Sequence, residues 1–424
     1  MRKYFFAALL LFNAVCVSAQ SAISNDSLSR KVDEINSQLQ WLRRIKLSGF
    51  VQAQYQWADR TGMASVAGGD FPASVAQRFK VRRAEFKTRF SNDTVDVVAN
   101  IDVTQSGVAI KDAYGKFTVP TWKSLSFTAG IFSRPFGWEV PYSSGMLESP
   151  ERSRIIQTLF PGERDLGAML SFTPNKTSKL NPLTIEAGMF NGTGNRADDF
   201  DNIKDFIGNI HWRDTAGEKK IKFVVGVNGY FGGWNNGSPF VYRKIGILPN
   251  GDRGFILDTS LSNKNVASIR QYLAGDFEII FNRSAWKTII RGEYIQGIQP
   301  GTWETSVSPS SIPSGTRFRR NFIGAYFYFV QNIAKSKHQL IIKYDWYDAN
   351  ADVSGGEIGK AGTNLSKADL KYTALALGWS FNYSKNIKFI AYYDIVENET
   401  SANLVGYEKD LKDNVYTLRT QFKF

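Results

Sequence analysis

The sequence predicts an all-β protein: a 16-stranded antiparallel transmembrane β-barrel preceded by a short N-terminal periplasmic helix. Three observations predict it. Stretches of about ten residues alternate apolar and polar side chains, as a wall between lipid and water requires. The connections between them alternate long and short. The chain also ends on such a stretch, Tyr416-Thr-Leu418-Arg-Thr420-Gln-Phe422-Lys-Phe424, closed by an aromatic residue. Lipid offers a strand no backbone partners, so only a sealed sheet satisfies every N–H and C=O.

The first element is read as a signal peptide over residues 1–19. Arg2 and Lys3 precede an apolar run from Tyr4 to Val17, broken only by Asn13, and Val17-Ser18-Ala19 supplies small residues before Gln20. The run is too short to cross a bilayer and stay. Cys16 is the only cysteine, and Val15 stands where a lipoprotein signal carries a small residue. Cleavage therefore leaves no thiol for a disulfide, a nucleophile or a zinc site.

Residues 20–46 read as a flexible start and a short helix. Leu28, Val32, Ile35, Leu39 and Leu42 recur at 4-3-4-3 spacing, a heptad seam, with Asp26 or Ser27 as cap. Two heptads are marginal alone. A lead-in helix and a trimerising stub both fit residues 28–44.

From Leu47 to Phe424 the period is two. Leu47, Gly49, Val51, Ala53, Tyr55 and Trp57 alternate with Ser48, Phe50, Gln52, Gln54 and Gln56. The same signature predicts further strands near 78–91, 94–104, 110–120, 123–133, 164–174, 182–191, 203–213, 219–231, 266–281, 285–298, 318–331, 336–348, 370–382, 386–398 and 412–424. Brief turns such as 92–93, 332–335 and 383–385 oppose long loops at 59–77, 134–163, 232–265, 299–317, 349–369 and 399–411. Short periplasmic turns facing long external loops fit a barrel with both ends in the periplasm. Trp57, Trp122, Trp212, Trp286 and Trp379 fall near strand ends, as interfacial girdles do.

Lys and Arg number 52 against 39 Asp and Glu, a formal charge of +13 that becomes +11 once Arg2 and Lys3 leave. The excess points to anionic partners: small anionic solutes within, and outer membrane lipid and lipopolysaccharide around the wall. Nucleic acid does not belong to that compartment. No later stretch approaches the twenty apolar residues of a helical span.

Loop 134–163 is the candidate constriction. It carries four prolines and the cations Arg134, Arg152 and Arg154, with Arg164 just beyond, and is too apolar for a surface excursion. Folded inward, Phe136, Trp138, Ile155, Ile156, Leu159 and Phe160 would pack on the wall while the arginines face the aperture. Alternation adds Arg83, Lys87, Lys116, Lys222, Arg291 and Lys343 to the anion path, with Asp96, Asp102, Asp112, Asp276 and Asp345 as inward acids. Arg78, Arg82, Arg317, Arg319 and Arg320 form an external vestibule. In the competing reading, the loop arginines pair with Glu139, Glu148, Glu151 and Glu163 and only hold the loop's shape. Asn191-Gly-Thr-Gly-Asn195 with Asp198, Asp199 and Asp201 reads as a turn, or less simply as a calcium-tied loop, since the spacing is not that of an EF-hand.

Several of these runs resemble the phosphate-selective porin O and P family. They are Arg78-Phe-Lys-Val-Arg82-Arg83-Ala-Glu-Phe-Lys87, Ile110-Lys111-Asp112-Ala113-Tyr114, Gly130 through Arg134-Pro135-Phe136 to Glu139, Arg164-Asp165-Leu-Gly167, and Phe190 through Asn195. The resemblance spans most of 45–424. It implies a homotrimer of 16-stranded barrels, a constricting third loop and a basic path, with motif roles for Arg82, Arg83, Lys111, Asp112, Arg134 and Glu139. Phosphate or polyphosphate as solute is implied by it alone.

No enzyme is expected. His211 and His338 lack a triad arrangement in sequence, and no GxSxG, HExxH or Walker pattern occurs. No cofactor or metal is called for. The expected function is passive diffusion of small anions. A general nutrient porin with little ion selectivity is the alternative, and a barrel adhesin a more distant one.

Overall fold

Alternation along the chain becomes a closed wall. The structure, a computed structural model, describes residues 29–36, 39–195, 198–218 and 220–424; the signal peptide and the start at 20–27 lie outside them. Eighteen strands follow in order: β1 (Ile45–Ala58), β2 (Gln77–Ser91), β3 (Val95–Thr104), β4 (Gly107–Thr118), β5 (Leu125–Ser133), β6 (Arg164–Phe172), β7 (Leu183–Phe190), β8 (Asp205–Ala216), β9 (Ile221–Asn235), β10 (Val241–Ile247), β11 (Arg253–Asp258), β12 (Ala267–Asn282), β13 (Lys287–Gly301), β14 (Arg317–Asn332), β15 (His338–Asp348), β16 (Lys371–Asn382), β17 (Ile387–Asn398) and β18 (Val415–Lys423).

Sixteen of them form the barrel. Neighbours pair antiparallel, β9 passes directly to β12, and β1 closes the ring on both β2 and β18. The β10–β11 hairpin stands outside the ring, in the loop between β9 and β12, and touches β14 at Val241 and Tyr242. The sequence reading takes this region as plain loop. Its strands are short and serve no membrane face, so they lack the long alternation that marks the wall.

Side chains divide by face as a lipid–water boundary demands. On β1, Gln52, Gln54 and Gln56 are buried in the lumen, while Leu47 and Trp57 are exposed outward. The terminal strand seals against β1, with Phe422 opposite Val51 and Arg419 opposite Gln54. Phe424 exchanges backbone hydrogen bonds with Gly49 at 3.1 and 3.2 Å. A Cβ on Gly49 would come within 2.7 Å of the Phe424 ring, so the glycine makes room for the final aromatic residue.

Every connection at one end is brief (92–94, 119–124, 173–182, 217–220, 283–286, 333–337, 383–386). The opposite end carries the long loops, with one exception, the two-residue turn 105–106 between β3 and β4. That turn lowers the wall. β2 pairs with β3 only from Glu85 to Ser91, so Gln77–Ala84 finds strand partners in β1 alone. Phe79, Val108 and Ile110 are exposed around this notch.

Above the barrel, Phe255, Phe318, Ile358, Leu365 and Leu370 form a small core that joins β11, β14 and the loop 349–370. Below it, residues 29–36 and 39–42 are helical and lead within a few residues into β1.

Candidate functional site

The connection 134–163 turns into the lumen and is bonded to the inner wall on nearly all sides. Gly137 N donates to Asn228 Oδ1 on β9, Trp138 N to Glu293 Oε2 on β13, and Glu139 N to Tyr326 OH on β14. Lys343 on β15, Lys388 on β17 and Gln421 on β18 donate to loop carbonyls at Glu151, Leu147 and Gly145. Gly137 has φ +62, and a Cβ there would strike the Glu293 carboxylate, so close backbone approach requires glycine.

The loop is two-sided. Phe136, Ile155, Ile156, Leu159 and Phe160, the last four at or beside a short helix, α1 (Arg154–Leu159), are buried against Tyr230, Tyr272, Phe322 and Tyr347. Phe136 and Phe160 rings lie 4.8 Å apart, and Phe160 meets both Tyr230 and Tyr272 at 5.8 Å. This fills the β9–β15 half of the lumen. The polar side of the loop faces β1 to β6.

On that side the charges form a lattice. Arg82 grips Glu151 through two bonds of 2.7 Å, and Arg83 and Arg419 each reach the same carboxylate at 3.1 Å. Glu163 takes Arg164 at 2.8 Å, Arg152 at 3.3 Å and Lys111 at 3.8 Å. Lys111 also meets Glu85 at 3.0 Å, and Arg164 meets Asp112 at 3.0 Å. Asn100 donates to both Glu85 and Asp112. Burial disfavours the charged forms of Glu151 and Glu163, yet the surrounding cations hold both carboxyls well below the usual range.

Two cavities flank the lattice. The outer one, ≈ 440 Å³, is lined by Arg82, Arg83, Lys111, Arg152, Thr193 and Asn195, among others. The inner one, ≈ 540 Å³, holds Lys87, Lys116 and Lys423 beside Glu85, Asp112 and Arg164. The Lys111–Glu85 and Arg164–Asp112 pairs stand between them. Among the described residues, no carboxylate side chain lies within ion-pair distance of Lys87, Lys116 or Lys423.

The structure thus gathers only part of the expected anion path at the cavities: Arg83, Arg152 and Arg164 in the lattice, Lys87 and Lys116 below it. Arg134 does not face an aperture. It is buried under the Phe160 ring, with Asp165 at 4.0 Å and the Pro161 and Glu163 carbonyls as acceptors. Arg154 lies over the Tyr372 ring at 3.6 Å. Arg291 stacks 3.4 Å from the Trp138 ring centroid and pairs with Glu148 and Glu278, and Lys343 pairs with Asp345. In each case a carboxylate or a ring engages the cation: Phe160 and Asp165 for Arg134, Tyr372 for Arg154, Trp138, Glu148 and Glu278 for Arg291, and Asp345 of the same strand for Lys343. Lys222 is exposed near the start of β9, away from both cavities.

The vestibule also differs from expectation. Arg320 is fully buried against Asp369 at 2.9 Å, and Arg317 donates to Gly315 and Pro313 carbonyls of its own loop. Arg319 falls in the outward phase of β14. Arg78 ties the first loop together through Asp70 and Gly68 carbonyls. Arg82 sits in the lattice, because it is the extra residue of a β-bulge: Gln52 faces Arg83 while Ala53 faces Val81. Lys111 is displaced inward in the same way, between Asn100–Asp112 and Ile101–Ile110. Arg419, buried in the lumen, and Lys423, at the inner cavity, complete the set from the last strand.

His211 is buried against Asp276 at 3.1 Å, and His338 stacks on Trp379 and Phe381 on the outer face. Asp199 and Asp201 bond Lys204, Ile203 N and Asn235 N, so these acids pin their own loop.

A sealed sixteen-stranded wall with an apolar exterior, a charged lumen and an infolded loop defines an outer-membrane barrel of the porin fold, seated in the bacterial outer membrane. No family model matches the sequence, and no curated protein matches it. Solved structures do match in fold. The outer membrane channel DcaP of Acinetobacter baumannii aligns with TM-score 0.51 at 12% identity, over 90% of this chain and 97% of that one. A loop-deletion mutant of OmpT, an outer membrane protein of Vibrio cholerae, gives 0.51 at 9% identity, over 90% and 99%. Salmonella typhi OmpF, solved in complex with daunomycin, gives 0.50 at 10% identity, over 90% and 97%.

Proposed function

We propose that the protein is a passive diffusion porin for small anions, assembled as a homotrimer. The observation that carries this reading is the charge along the open side of the lumen. Arg82, Arg83, Lys111, Arg152, Arg164 and Arg419 outnumber Glu85, Asp112, Glu151 and Glu163 in the lattice, and Lys87, Lys116 and Lys423 follow without ion-pair partners among the described residues. An anion entering from outside meets cations already shared with carboxylates, which attract without trapping. Below them, free ammonium groups replace part of its hydration shell. Weak successive sites are what flux requires. The resemblance to the phosphate-selective family supports phosphate or polyphosphate among the solutes.

A general porin with little ion preference is the second reading. It is favoured by how thoroughly the lattice neutralises its own arginines. Reversal potential in a salt gradient across a planar bilayer decides between them. Anion preference is expected, reduced in a Lys87→Gln/Lys116→Gln variant, and phosphate should block chloride current. Cation preference, or none, overturns the anion reading; absence of block removes phosphate.

A further inference from the structure

Among the described residues, the heptad seam ahead of β1 lies outside the barrel wall. Val32, Ile35, Leu39 and Leu42 are 47%, 54%, 44% and 54% exposed, so the seam is not packed on the barrel. Val32 and Ile35 on the helical stretch 29–36, and Leu39 and Leu42 on the helical stretch 39–42, keep the 3-4-3 spacing of a surface suited to knobs-into-holes packing with like helices. We propose that the helical stretches 29–36 and 39–42 of neighbouring copies of this chain join as a parallel bundle beneath the barrels. The proposal rests on the homotrimer reading and adds to it where copies hold one another.

A second copy is the fitting occupant for three reasons. Barrels in one membrane insert in one direction, so their leading helices emerge side by side, parallel and at the same height. The helix runs within three residues into β1, so any contact between barrels presents the helices to each other at high effective concentration. This offsets the weakness of a two-heptad coil.

The third reason lies at the other end of the same sector. Above the β3–β4 turn, β2 has no strand neighbour on its β3 side, where the side chains of Gln105 and Asp102 accept from Val81 N and Ala84 N, next to exposed Phe79 and Val108. Beside them, Ala53, Tyr55, Phe79, Trp379, Phe389 and Leu418 line an apolar recess of ≈ 570 Å³ on the outer face. A lipid-exposed strand edge is costly, and a neighbouring barrel would cover it. Both ends of the β1–β2 wall thus want the same partner.

Cysteine scanning of the full chain, in a Cys16→Ser background, tests this. Mild oxidation should link copies through Ile35→Cys and through Leu39→Cys, whose positions face the bundle axis, and not through Asp33→Cys, on its outside. A Val32→Asp/Leu39→Asp variant should still form a folded barrel, and its oligomer should dissociate at a lower temperature than wild type. Links of equal yield at all three positions, or at none, overturn the bundle, as does an unchanged dissociation temperature. If the protein is an oligomer by mass in detergent but the Ile35→Cys and Leu39→Cys variants give no links, the bundle alone fails. A monomer overturns the homotrimer as well.

Discussion

Arg82 and Lys111 are each the extra residue of a β-bulge, on β2 and β4, and both bulges turn a cation toward a carboxylate of the infolded loop: Arg82 to Glu151, Lys111 to Glu163. Strict alternation would have sent both into lipid, where a basic residue costs roughly 2–4 kcal/mol at mid-membrane. The bulges remove that cost and add two cations to the outer cavity.

Glu151→Gln frees Arg82, Arg83 and Arg419 from their shared counter-charge. Anion selectivity should rise, read as a larger reversal potential in a salt gradient. Loop attachment should weaken, since leaving buried charges unpaired costs about 3–5 kcal/mol. An unchanged reversal potential would remove Glu151 from the conduction path.

The pH dependence follows from the depressed Glu151 and Glu163 carboxyls. Groups whose folded pKa is lowered contribute stability that is complete above the unfolded value of about 4.3 and is lost as pH falls through the folded value. Both stay ionised at pH 4. The selectivity difference between Glu151→Gln and wild type should therefore be as large at pH 4 as at pH 7. Its disappearance at pH 4 would show an ordinary carboxyl.

Phe160→Ala removes the ring between Arg134, Tyr230 and Tyr272. Such a truncation costs about 3–5 kcal/mol in a packed core. The barrel should persist while the loop loosens, giving higher and noisier single-channel conductance. Quiet wild-type currents would place the aperture elsewhere.

Arg320→Ala should leave ion selectivity unchanged and lower thermal stability, because Arg320 lies buried against Asp369 beneath the external cap. A change in reversal potential without loss of stability would return Arg320 to a vestibule.

The sequence by itself determined the container. Alternation of period two, the terminal Phe424 and the rhythm of long and short connections are local signals, and they yield sixteen strands within a few residues of their bounds. Even the bulges left a trace. Phe79 and Val81 stand in one phase with Ala84 and Phe86 in the other, so the pattern slips at Arg82-Arg83.

Which cations gather at the two cavities was decided only by the tertiary structure. Arg134, Arg291 and Arg320 look in sequence like Arg83 and Arg152, and nothing local distinguishes them. Their fates depend on Phe160, Trp138 and Asp369, partners brought near by the infolded loop and the external cap. An arginine carries its charge into the solvent path only where packing leaves that path open, and packing is a property of the whole barrel.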